Sequence, residues 1–193
     1  MNLAAVSATQ VAIFVAVVVI VAAVFSVSYS IRKRRTHRLR KQFGSAEYAR
    51  AVKEGGGQRK AEAVLDERAD RVEALHIRPI TPGDRARFVD SWGRVQSRFV
   101  DGPGGAVTEA DQLLGDVMSA RGYPVSDFEQ RVADISVDYP LVLANYRAAH
   151  GIAGRQTRGQ ASTEELRQAM LHYRTLFEEL VGQPEMARAK AAS

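Results

Sequence analysis

The chain has 193 residues, 27 Lys/Arg against 22 Asp/Glu for a net charge of +5, and no cysteine. The missing cysteine excludes disulfides, thiolate zinc sites and a thiol nucleophile, and fits a cytoplasmic domain. Seven of the basic residues fall within positions 32–41, and without them 20 basic face 22 acidic residues, a net charge of −2. The high isoelectric point therefore belongs to one short segment, which disfavours a basic nucleic-acid-binding domain.

The first 31 residues carry no charged side chain. From position 3 to 31 they read LAAVSATQVAIFVAVVVIVAAVFSVSYSI, longer than the roughly 20 apolar residues a helix needs to cross a bilayer. A removed signal peptide is the competing expectation, with Ala22, Ala23 and Ser26 as small residues at a cleavage site. That alternative wants a basic start, an apolar core of about 7–15 residues, and no strong cationic stop behind it. Here the cations follow the apolar run, so residues 1–31 read as an uncleaved transmembrane anchor. The positive-inside rule then puts the N-terminus outside and the remaining chain in the cytoplasm of a cell inner membrane. Rows of small residues four apart, Ala8, Ala12 and Ala16 then Ala22, Ser26 and Ser30, allow a homodimer through this segment.

Arg32, Lys33, Arg34, Arg35, Arg38, Arg40 and Lys41 follow at headgroup level. They set topology and meet the anionic headgroups of the bilayer. Stacking aromatics for a nucleic acid are limited to Phe43 and Tyr48, so no specific nucleic-acid partner is expected. No Pro or Gly precedes Gly44, so the anchor continues through this flank as one rod, a basic juxtamembrane helix over 32–44.

Residues 45–80 read as a helical spacer with Gly and Pro breaks. A short helix over 45–54 ends at Gly55-Gly56-Gly57. A second stretch, 58–75, places Ala61, Leu65, Arg68, Val72 and Leu75 on a seam of barely two heptads. Its charged residues, Glu62, Asp66, Glu67, Asp70, Arg71 and Glu73, read as a solvated surface. HIRPITPG at 76–83 is the internal boundary.

A helical bundle is expected over 81–182. Thr81-Pro82-Gly83-Asp84 starts a helix to about Val100, with Phe88, Trp92, Val95 and Phe99 on one stripe. After DGPGG, a helix over 106–120 carries Val107, Ala110, Leu113, Leu114, Val117 and Met118, ended by Gly122. Ser126-Asp127-Phe128-Glu129 reads as a capping box for a helix to about Ile135, and Pro140 as the start of the next, through Tyr146 and Ile152. Ser162-Thr163-Glu164-Glu165 opens the last helix, with Leu166, Met170, Tyr173, Phe177 and Leu180 on one face. Gly182 and Pro184 stop it, and 183–193 reads as a disordered tail. The fold class is all-α: one N-terminal transmembrane helix followed by a small helical bundle.

No catalytic signature stands out. Neither glycine-rich stretch has the strand and Lys-Ser/Thr of a phosphate loop, and no HExxH pair is present. The one polar cluster the topology allows is Asp134, Asp138, His150 and His172, if the last helices pack antiparallel. No resident metal or cofactor is expected.

Three segments, FVDGPGGAVTEADQLLGDVMSARGYPVSDFEQRVAD, YRAAHGIAGRQTRG and STEELRQAMLHYRTLFEEL, carry a resemblance. They resemble a group of uncharacterised bacterial proteins with an N-terminal hydrophobic segment and a helical C-terminal part. The likeness spans about residues 40–181 and is most distinctive in RGYP at 121–124 and LRQAMLHYR at 166–174. It implies a membrane or secreted protein and no activity, ligand or catalytic residue. The expectation is a non-enzymatic, single-pass protein that tethers or recruits an unknown macromolecular partner at the membrane surface. The alternatives are a metal-dependent or acid–base enzyme and an exported cell-envelope domain.

Overall fold

A computed structural model describes residues 8–124 and 127–182, with side chains from Phe14 onward. The first residues of the anchor, Ser126 of the expected capping box, the side chains of Ala8 and Ala12, and the tail 183–193 lie outside the described residues. The described residues form seven helices and no strand: α1 Ala8–Glu54, α2 Gln58–Glu73, α3 Pro82–Arg98, α4 Pro103–Arg121, α5 Phe128–Asp138, α6 Leu143–Gln156 and α7 Thr163–Gly182.

Every described side chain of α1 up to Ile31 is exposed. With Phe14 at 69 % and Phe25 at 74 %, the helix presents apolar surface all round and buries none of it inside the protein. It is long and apolar enough to cross a membrane, a property that signal sequences share. α1 runs on through the basic flank to Gly44, where the backbone turns at φ 72°, ψ 162°. Residues 45–54 then form a separate helical arm. Only glycine adopts that backbone geometry without strain, which is why the rod breaks there.

The other boundaries follow local chemistry. The Asp84 amide donates to Thr81 Oγ1 at 3.1 Å, closing the cap of α3. Pro103 starts α4 three residues earlier than the apolar pattern suggests, as proline fits a first turn. Gly122 ends α4 at φ 99°, and a Cβ there would stand 2.6 Å from the His76 carbonyl oxygen. The Arg78 amide donates to the Arg121 carbonyl at 2.8 Å, so the proline boundary is stitched onto α4. Asp127 caps α5, accepting from the Gln130 amide at 2.8 Å. Pro140 occupies a turn, and α6 begins later, at Leu143. In α7, Ser162 and Glu165 bond each other's amides, the reciprocal cap expected there.

Two apolar clusters result. The larger gathers Trp92, Leu114, Ile135, Leu143, Tyr146, Tyr173 and Leu180 from α3 to α7. Trp92, on the α3 stripe, is buried and stacks on Phe177 with centroids 4.8 Å apart. The smaller holds Leu39, Phe43, Tyr48, Ala51, Ala61 and Leu65, where α2 folds back on α1. α2 is thus packed on two sides, and α1 and α2 both also contact α5.

Candidate functional site

The basic flank is divided by its neighbours. Arg35 and Arg38 both pair with Asp66 of α2. The Arg40 guanidinium lies over the Tyr48 ring at 4.8 Å. Arg32, Lys33, Arg34 and Lys41 are exposed and pair with no carboxylate among the described residues. Only part of the flank is therefore engaged within the chain.

Beneath it, two buried carboxylates lock the arm and α2 in place. Glu62 accepts from Thr36 Oγ1 at 2.6 Å, Tyr48 OH at 2.7 Å and Gln58 Nε2 at 2.9 Å. Burial pushes its carboxyl up, but these three donors and Arg35 outweigh burial and hold it below the ordinary value. Burial and Glu62 push the Tyr48 hydroxyl up. Glu47 receives Arg147 of α6 through both oxygens at 2.7 and 3.1 Å, and Arg68 of α2 at 3.0 Å. Burial pushes its carboxyl up too, but Arg147 and Arg68 outweigh burial and hold it low. Glu62, Asp66 and Arg71, read from the sequence as a solvated face, instead make tertiary contacts, because α2 is covered on two sides.

The four polar residues singled out from the sequence occupy different surroundings. Asp134, 1 % exposed, accepts from Arg71 of α2 and from Gln130 through one oxygen. Asp138 accepts from Tyr123 OH at 2.7 Å. His172 is half-buried on α7. His150 stacks flat on Phe128 at 3.6 Å and turns Nδ1 toward Asp111 at 3.9 Å. Among the described residues no three His, Asp or Glu side chains are grouped to hold a metal ion.

Asp111, on α4, is the functional candidate that sequence reasoning missed. Arg131 Nη2 stands 3.7 Å from its carboxylate, and the buried hydroxyls of Tyr146 and Tyr173 lie in the same core. Burial pushes the Asp111 carboxyl up, while His150 and Arg131 bring it below the ordinary value. The Tyr146 and Tyr173 hydroxyls are pushed up by burial and by Asp111. One signal was available: Asp111 sits four residues after Val107 and three before Leu114, on the apolar stripe itself. The far side of His150 opens on a shallow groove with Arg50, Asp127, Glu129 and Arg147 at its walls. At 3.9 Å His150 Nδ1 and Asp111 face each other without a hydrogen bond, and among the described residues no Ser, Thr or Lys lines the groove.

No family model matches the chain, and neither the curated proteins nor the solved structures contain a match to it.

Proposed function

We propose that the protein is a single-pass membrane anchor that holds a small helical bundle at the cytoplasmic face, where the bundle tethers or recruits a macromolecular partner. The observation that carries this reading is the exposed apolar helix continuing as helix into a flank whose Arg35 and Arg38 pair with Asp66 of α2. Exposing that much apolar surface to water is costly, whereas hydrocarbon accepts it. The cationic flank then opposes translocation of the helices C-terminal to it, keeping the bundle inside. Because the chain has no native cysteine, single-cysteine variants report topology cleanly. A cysteine at Asn2 should react with an impermeant maleimide added to whole cells, and one at Ser162 should react only after lysis. Labelling of Ser162 in intact cells, or a trimmed chain in the medium, would overturn the orientation and favour an exported domain. Crosslinking of the full chain in membranes should then trap a partner on the bundle.

A second reading, acid–base chemistry, draws on one observation: His150 facing Asp111 at 3.9 Å on the edge of a groove. Turnover of a phosphoester or ester by the full chain, abolished by His150→Gln, would support it.

A further inference from the structure

The first turn of α2 is basic, with Arg59 and Lys60 both exposed and no acid in that turn. Cations there oppose the helix dipole, which favours carboxylates at an N-terminus. Their placement gives the arrangement a purpose. Gly56 and Gly57, at φ 69° and 131°, turn the chain so that Gln58 Nε2 reaches Thr36 Oγ1 at 3.0 Å. Two turns later, Asp66 still pairs with Arg35 and Arg38 of that same stretch. The stretch of α2 from Gln58 to Asp66 therefore crosses α1 instead of running along it, and stays near the level of residues 35–38. Thr36 follows Ile31, the last residue of the apolar run, by five positions, about 7.5 Å along a helix. That distance is within about one Debye length of the headgroups at physiological ionic strength. The long side chains of Arg59 and Lys60 reach further still.

We propose that Arg32, Lys33 and Arg34 of α1 and Arg59 and Lys60 of α2 form one composite surface for anionic lipid headgroups, while Asp66 withholds Arg35 and Arg38 from it. The inference rests on the anchor reading and deepens it by naming the chemistry met at the membrane. Continuity with the apolar helix selects lipid as the occupant, because the surface begins where the hydrocarbon-crossing segment ends. α2 thus does two jobs with opposite charges: Asp66 in its middle engages two arginines of the flank, and its start adds two cations.

The test uses the full chain reconstituted in phosphatidylcholine vesicles, with spin-labelled phosphatidylglycerol or spin-labelled phosphatidylcholine as the probe of lipid at the protein surface. The intact chain should prefer the anionic probe, and the preference should fade as salt rises from roughly 0.1 M to 1 M. The double variant Arg59→Ser/Lys60→Ser should lose the preference by up to about five-fold per cation removed. The charge-conserving pair Arg59→Lys/Lys60→Arg should retain it, separating charge from any effect on folding. A double serine variant with intact preference overturns the inference while leaving the anchor standing. Release of the full chain from the vesicles by alkaline carbonate overturns the anchor reading and this inference together.

Discussion

The two apolar clusters solve the same problem in different ways. Helices α3–α7 close around a large core in which Trp92, Leu114, Tyr146, Tyr173 and Leu180 are all nearly inaccessible. The junction of α1 and α2 buries six residues, two of them alanines, and surrounds them with Glu47, Glu62 and the arginines that reach these acids. Apolar burial scales with area, so a small cluster gains little from it. The junction depends on charge for its geometry, and the larger core depends on packing. Stability in the first should follow pH, and in the second side-chain volume.

Deleting volume from the large core should have the greatest effect. Trp92→Ala removes an indole that is 6 % exposed and stacked on Phe177, and should cost about 3–5 kcal/mol in denaturant unfolding of the full chain in detergent. A near-neutral result would mean that the stripe on α3 is a docking face and not core.

Glu47→Gln comes next. It keeps the shape but leaves Arg68 and Arg147 without their shared carboxylate, at a cost of about 3 kcal/mol. The loss should appear as faster hydrogen exchange in α2 and the arm of α1, with α4 and α7 still protected. Uniform loss of protection would show that the two clusters unfold as one.

Acid should produce a milder form of the same separation. Glu47 and Glu62 titrate below the ordinary carboxylate value in the folded chain. Their contribution is therefore complete above the unfolded carboxylate pKa, near 4.5, and is lost as pH falls through the lowered folded values. Exchange in α2 should rise below about pH 4 while the larger core holds. Asp111 is also held low, so α4 should follow at still stronger acid only if its carboxylate matters to that core.

The smallest effect should come from Tyr146→Phe. The Tyr146 hydroxyl is buried and has no hydrogen-bond partner among the described residues, so its removal should change stability by less than about 0.5 kcal/mol. A large loss would show that the hydroxyl serves the cluster around Asp111.

Sequence signals are legible where the chemistry is local. Thr81, Gly122, Asp127 and the Ser162–Glu165 pair cap their helices as their residue types require, because a cap needs only its nearest backbone amides. Pro140 is ambiguous: proline suits a first helical turn and an ordinary turn equally, and tertiary packing decides between them. The polar residues are the least legible. Position in the chain groups Asp134 and Asp138 with two histidines, yet Asp134 turns to Arg71 and Asp138 to Tyr123. Asp111 escapes a sequence reading because a carboxylate within an apolar stripe has meaning only once a facing histidine and arginine are known.

By itself the sequence determined that the protein is all-helical, with one long apolar helix at its start, a cationic flank after it and helices that end at the marked Gly residues. Those properties depend on composition, on a 3.6-residue period and on backbone preferences, all carried by neighbouring residues. Only the tertiary structure decided that α2 crosses the flank, that Asp66 claims two of its arginines and that Glu47 joins α1, α2 and α6. Such pairings link residues 21 to 100 positions apart, and their formation depends on how the helices cross, which no local pattern encodes.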